Sequence, residues 1–259
     1  MIKAAFFDID NTLYDWKKKE FNQAGLKAIR RLKKQGVKVF LASARPYRSQ
    51  VEFGAFDLDI PWDGYIASAG AIAYSKGRYL LKMLMDTQDV KTIIAIAKQR
   101  HLTLEVVTPK TRFLIAPGNT YLEDYHGTYS DITPAVHAYK GGQCTGVLLF
   151  SPEEHDEAFH KALPHLCYFR FHPSAVDVMP EEHRKGDAIG AILDFYGIGK
   201  DEAISFGDDV QDISMRDRSF FVAMGNGKEE VKAAADYVCP PIGEDGLYKA
   251  LVHLGVLKA

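Results

Sequence analysis

Residues 2–12 read IKAAFFDIDNT. The stretch from Ile2 to Ile9 is almost continuously apolar, which suits a strand buried on both faces of a parallel sheet. Asp8, Asp10 and Thr12 stand where that strand ends. In an open parallel sheet, ligands bind outside the carboxyl ends of the strands, so these side chains point into the expected site. Two carboxylates at i and i+2 can divide labour, one attacking and one exchanging protons. A plain polar loop whose Asp and Thr cap a turn would use the same residue types. The buried strand directly before the pair favours the chemical reading over the loop.

Working outward, Phe21, Ala24, Ala28, Ile29 and Leu32 fall on one face of a helix that ends at Gly36. Val37 to Ala42 (VKVFLA) reads as a second buried strand, and Tyr65 starts a third. The same rhythm returns late in the chain. Helices are expected over 185–195, 228–235 and 245–254, and strands over 203–206, 220–224 and 237–239. Alternating strands and helices predict an α/β fold, a doubly wound, Rossmann-like parallel sheet with right-handed crossovers. Between the halves the pattern changes. Helical stretches at 90–100 and 153–163 alternate with the β-prone pieces TLEVV, RFLIA, GVLLF, CYFRF and AVDVM. These predict an inserted α+β domain, an antiparallel sheet with helices on one face. The expected division is a core of residues 1–81 and 183–259 with an insert over 82–182.

Composition narrows the class. The 259 residues are 47% hydrophobic and 25% charged, and 32 Lys+Arg nearly balance 34 Asp+Glu. That excludes a disordered chain and argues against nucleic acid as the main partner. Three widely spaced cysteines give neither a disulfide framework nor a zinc site. No apolar run is long enough to span a bilayer, and the start of the chain does not resemble a signal peptide. A soluble cytoplasmic protein is expected, with no macromolecular partner implied.

Three further elements follow strand ends or open a helix. Ser43, in LASARP, can donate to a phosphate oxygen beside its neighbouring backbone N–H groups. Lys185, before Gly186 at a helix start, can pair with a phosphate and with an aspartate. Its neighbours His183 and Arg184 read as solvated. The run Phe206-Gly-Asp-Asp-Val-Gln-Asp212 clusters carboxylates beside a flexible glycine, which suits a hard divalent cation, Mg²⁺ above all. Singly, each could be an ordinary surface feature. Together at strand ends in one chain, they are not easily dismissed.

In this order, Asp-x-Asp-x-Thr, Ser, Lys and Gly-Asp-x-x-x-Asp resemble the haloacid dehalogenase (HAD) superfamily of phosphohydrolases. The stretches YIASAGA (65–71), VMPEEHRKGDAI (178–189) and VAMGNGKEEVKAAADYVCPPIGEDGLYKAL (222–251) resemble its Cof-type branch. The insert matches that branch's cap in position and length. The resemblance implies a phosphatase acting on small phosphorylated metabolites, sugar phosphates by family tendency, through an aspartyl-phosphate. It implies Asp8 as nucleophile and Asp10 as general acid/base. Mg²⁺ would sit on Asp8, the Asp10 backbone carbonyl and Asp208. Ser43, Lys185 and the N–H of Ile9 would bind the phosphate, with Asp212, Arg45 and Gln211 in support. Arg45 is expected to reach toward the substrate, and Asp212 to orient Lys185 or a metal-bound water. The chain departs from the family pattern at Ala44 and Ala69, where glycine and asparagine are usual, and at Gln211, where asparagine is usual. A phosphosugar mutase on the same core and a non-catalytic phosphometabolite-binding protein are the alternatives. A receiver domain would be half as long and would not place its nucleophile after the first strand. In the insert, Arg112, Lys140 and Arg170 are candidates for substrate contact, with plain surface charge as the simpler reading.

Overall fold

The computed structural model describes residues 1–129, 132–180 and 183–258. The chain divides into two compact units: Met1–Arg45, Gly54–Leu81 and His183–Ala259 form the first, Pro46–Phe53 and Lys82–Glu182 the second. The boundary expected at 182/183 touches residues 181–182, outside the described residues. The short segment after Arg45 groups with the second unit, although its place in the sequence suggests the first.

In chain order the elements begin with strand β1 (Ala4–Phe7), a small hairpin of β2 (Tyr14–Asp15) and β3 (Glu20–Phe21), and helix α1 (Gln23–Lys34). Strand β4 (Lys38–Ala42), helix α2 (Tyr47–Glu52), and strands β5 (Gly64–Ala67), β6 (Ile72–Ser75) and β7 (Arg78–Lys82) follow. The second unit then contributes α3 (Thr87–Gln99), β8 (Thr103–Val107), β9 (Arg112–Leu114), α4 (Thr120–Tyr129), β10 (Gly146–Phe150), α5 (Asp156–Ala162), β11 (Cys167–His172) and β12 (Ala175–Met179). The chain closes with α6 (Lys185–Tyr196), β13 (Ala203–Gly207), β14 (Phe220–Ala223), α7 (Glu229–Ala234), β15 (Tyr237–Val238) and α8 (Gly246–His253).

The first unit holds a sheet in the order β15-β14-β13-β1-β4-β5-β6-β7. From β15 to β5 the neighbours run parallel, and β6 turns back antiparallel on β5. Among its parallel strands the order reverses between β1 and β13, the doubly wound arrangement with its switch point there. Alternation along β1 sends Ala4 and Phe6 to one face. There they pack with Phe40, Ala42 and the buried Ala188, Ile189, Ile192 and Leu193 of α6. Asn22 caps α1 by accepting from the Gly25 N–H, a bond that typically stabilises a helix by about 1 kcal/mol.

The second unit carries an antiparallel sheet in the order β11-β12-β10-β8-β9. Val90, Ile93 and Ala97 of α3 and Phe159 of α5 cover Leu104, Val106, Val147, Leu149, Val176 and Val178. Helices on one face were expected. Instead α4 packs Leu122 and Tyr125 against Leu114, Leu148, Phe150 and Ala175 of the other face. The reason is local: β10 (GVLLF) is apolar on both sides, so both of its faces require cover. Arg112 and Arg170 are not surface charges here. Arg112 is buried against Glu105 and Glu52, and Arg170 makes a paired bond to Asp156. Lys140 is exposed.

Candidate active site

Strand pairing brings the motifs to one edge of the first unit. Register aligns Phe7 with Phe206 on β13 and with Leu41 on β4, so Asp8, Gly207-Asp208 and Ser43 emerge from adjacent strand ends. The Asp8 N–H donates to the Phe206 carbonyl at 3.0 Å, carrying the ladder one residue past the strand. Lys185 opens α6, which covers this sheet, and reaches the same place from 177 positions away in sequence.

The Lys185 ammonium is buried and donates to Asp8 Oδ1 at 2.7 Å and to Asp212 Oδ1 at 2.6 Å. The other oxygen of Asp212 accepts the N–H groups of Asp208 at 2.9 Å and Asp209 at 3.0 Å. Asp212 therefore holds both the lysine and the loop that presents Asp208. Gly207 makes this possible: a Cβ there would lie 2.4 Å from the Asp212 Cγ.

Asp8, Asp208 and Asp212 each bring a carboxylate oxygen within 4.8 Å of the others. Burial pushes the Asp8 carboxyl far above the ordinary carboxylate range; Lys185 opposes this, while Asp212 and Asp10 add to it. Asp208 is raised by burial and then by the charges of Asp8, Asp212 and Asp209. Burial alone would lower the Lys185 ammonium, but Asp212 and Asp8 outweigh it and hold it above its usual value. Ionised together, the three carboxylates would outnumber the one ammonium, and a hard divalent cation would balance that charge. The donor set fits such a cation.

The Asp10 carboxylate is not one of these three. Arg45 holds it with two bonds, Nε to Oδ2 and an Nη to Oδ1, both at 2.8 Å, and Trp16 Nε1 donates to Oδ1 at 2.9 Å. Arg45, expected to reach toward the substrate, here holds Asp10. The sequence marks Trp16 only as an aromatic residue soon after the Asp pair. Ser43 is buried, and its Oγ accepts from the Arg45 N–H at 3.1 Å. Ile9 lies buried between the two aspartates, and its carbonyl takes the N–H groups of Leu13 and Tyr14. His183, expected to be solvated, is buried, with its Nε2 3.0 Å from the Ser68 carbonyl. It packs there because Gly70, at φ +111°, lets its loop approach the Arg184 carbonyl, where a Cβ would sit 2.4 Å away. Arg184 is exposed, as expected, and pairs with Asp217. Gln211 Oε1 is buried with no hydrogen-bond partner.

A family model described as haloacid dehalogenase-like hydrolase matches residues 5–251. The chain belongs to this family. Full-length relatives agree with this placement. The Bacillus subtilis protein named "Putative phosphatase YkrA" is 26% identical over 99% of both chains. A hypothetical protein of Geobacillus kaustophilus HTA426 superposes with a TM-score of 0.90 at 28% identity, covering 99% of this chain and 100% of that one. The HAD subclass IIB sugar phosphatase BT4131 is 29% identical with a TM-score of 0.81, over 98% of this chain and 100% of its own. This HAD protein is accordingly an enzyme of the phosphatase class, of the Cof-type branch. Among its described residues, no helix is long and apolar enough to cross a membrane.

Proposed function

We propose that the enzyme is a Mg²⁺-dependent phosphatase of small phosphorylated metabolites, sugar phosphates in particular, working through an aspartyl-phosphate. One observation carries the reading: two carboxylates two residues apart are held in opposite ways. Asp8 lies in the buried acidic cluster against Lys185, while Asp10 is gripped by Arg45 and Trp16 outside it. A protein that only bound phosphate would have no need of a second carboxylate held for proton exchange.

Asp8 attacks the phosphoryl phosphorus in line, forming a new P–O bond as the bond to the leaving alkoxide breaks. Asp10 gives that alkoxide a proton. It then takes a proton from the water that attacks the aspartyl-phosphate, which returns Asp8 and frees inorganic phosphate. Lys185, the Ser43 hydroxyl and the N–H groups of Ile9 and Asp10 bind the phosphate oxygens. Asp8, Asp208 and the Asp10 backbone carbonyl would hold the metal, which would supply positive charge against the phosphate oxygens. Asp212 supports Lys185 and the loop, Arg45 supports Asp10, and Gln211 lines the loop beside Asp208.

We assign choice of substrate to the second unit, the expected cap, which has its own core and no share in the acidic cluster. The sugar-phosphate assignment is supported by the likeness to BT4131. A cytoplasmic setting is supported by Cys144 and Cys239, which are buried as thiols. The decisive experiment measures phosphate release from sugar, nucleotide and cofactor phosphates with and without Mg²⁺, using Asp8→Asn as blank. Mg²⁺-dependent release above the blank, greatest on sugar phosphates, is expected. Equal release by Asp8→Asn would remove Asp8 as nucleophile, and conversion of a sugar phosphate to its isomer would make the enzyme a mutase.

A further inference from the structure

Arg45 and Trp16 hold Asp10 by different means. The Arg45 guanidinium forms a fork on both carboxylate oxygens, a charge-assisted pair that sets the plane of the carboxylate. Trp16 has two side-chain torsions and stands on the β2–β3 hairpin, where Tyr14 pairs with Phe21 and Asp15 with Glu20. Its ring is braced edge-on by Tyr14 at 5.0 Å, and the Arg45 guanidinium lies over it at 6.0 Å. The hairpin turn is itself tied, since Asp15 Oδ1 accepts the N–H groups of Lys17 and Lys18. A half-buried indole N–H in a surface hairpin could bond to water; this one is aimed at the carboxylate beside the nucleophile, 2.9 Å from Oδ1.

We propose that Trp16 is a positioning residue for proton delivery to the leaving group, its indole N–H fixing the direction in which Asp10 presents its proton. This rests on the reading of Asp10 as the general acid. Proton transfer depends on alignment at sub-ångström precision, so loss of one anchor slows departure of a leaving group that needs the proton and spares departure of one that does not; kcat/KM reports this first step, whereas hydrolysis of the aspartyl-phosphate is common to both substrates.

The test compares an alkyl phosphate, glycerol phosphate, with p-nitrophenyl phosphate, whose nitrophenolate departs without a proton. The protein is made with Trp16→Phe and, separately, with 3-benzothienylalanine at position 16, which keeps the ring shape and replaces N–H by sulfur. For both variants, kcat/KM on the alkyl phosphate is expected to fall about tenfold or more, through kcat with KM unchanged, and on the aryl phosphate by less than about threefold. Equal losses on both substrates would make Trp16 a packing residue only, and no loss on either would also overturn the proposal. The wild-type enzyme separates the two levels of the argument. Release from neither substrate would overturn the phosphatase reading and this inference with it, whereas an active wild type with an indifferent position 16 overturns the inference alone.

Discussion

The Lys185 ammonium lies 2.6 Å from the Asp212 carboxylate, and both groups are almost wholly buried. The pair joins the start of α6 to the loop after β13. Through the second bond of Lys185 to Asp8 it ties both to the end of β1. One lysine therefore braces three segments of the first unit and partly balances their charge.

Replacing Lys185 by methionine keeps the volume and leaves Asp8 and Asp212 without their cation. Removing one partner of a buried pair costs about 3–5 kcal/mol. Urea unfolding of the metal-free Lys185→Met protein should show a loss of that order, with part of it recovered on adding Mg²⁺. Asp212→Asn should fold and should need roughly 10–100-fold more Mg²⁺ for half-maximal phosphate release, because its effect passes through the groups it orients.

The raised carboxyls of Asp8 and Asp208 make the stability of the metal-free protein dependent on pH. In the folded state these groups keep protons that the unfolded chain has released, so stability falls as pH climbs above the ordinary carboxylate range. Thermal melting without metal should show wild type losing stability relative to Asp208→Asn from about pH 5 to pH 9. Mg²⁺ binds the ionised carboxylates, so the rise in Tm that it produces should grow across the same range. A difference between the two proteins that does not vary with pH would mean that Asp208 is ionised throughout.

The departure at Ala69 has a structural cost. Ala69 sits at φ 53° and ψ 23°, the left-handed region that asparagine and glycine tolerate and alanine resists. Ala69→Gly should raise stability by about 1 kcal/mol, near ~2–4 °C in Tm for a chain of this size. Ala44 is different, since its φ is not positive and no glycine is required there.

In the second unit, Asp177 stands on β12 opposite Leu148 of β10 and Phe169 of β11, and burial pushes its carboxyl up to about 7. Above that pH the folded protein carries a poorly solvated charge, while near pH 4 the group is neutral when folded. Asp177→Asn should melt with wild type near pH 4 and at least ~2 °C higher near pH 8, the shift that roughly 0.5–1 kcal/mol produces. Coincident melting at both pH values would show that water reaches the carboxylate.

Much of the fold was legible because hydrophobic periodicity is a local property. The buried runs at 4–7, 38–42, 64–67, 203–207 and 220–223 each declare a strand, and their alternation with helices prescribes the doubly wound order. The same reading put Asp8, Ser43 and Asp208 at strand ends. Elements of two residues, such as β2 and β3, are too short to carry a period. The hairpin that bears Trp16 was hidden for that reason.

Partnership is the part that local patterns cannot carry. Residue types and spacing were enough to specify the class of fold and to bring the candidate aspartates, serine and lysine to strand ends and a helix start. They did not say that Arg45 would grip Asp10, that Trp16 would join it, or that Asp212 would hold both a lysine and a loop. Nor did they show that Arg112 would be buried against Glu52, 60 positions away, which groups α2 with the second unit. Each of these depends on which side chains folding brings within about 3 Å of one another, and hydrogen bonds and ion pairs fall off steeply beyond such distances.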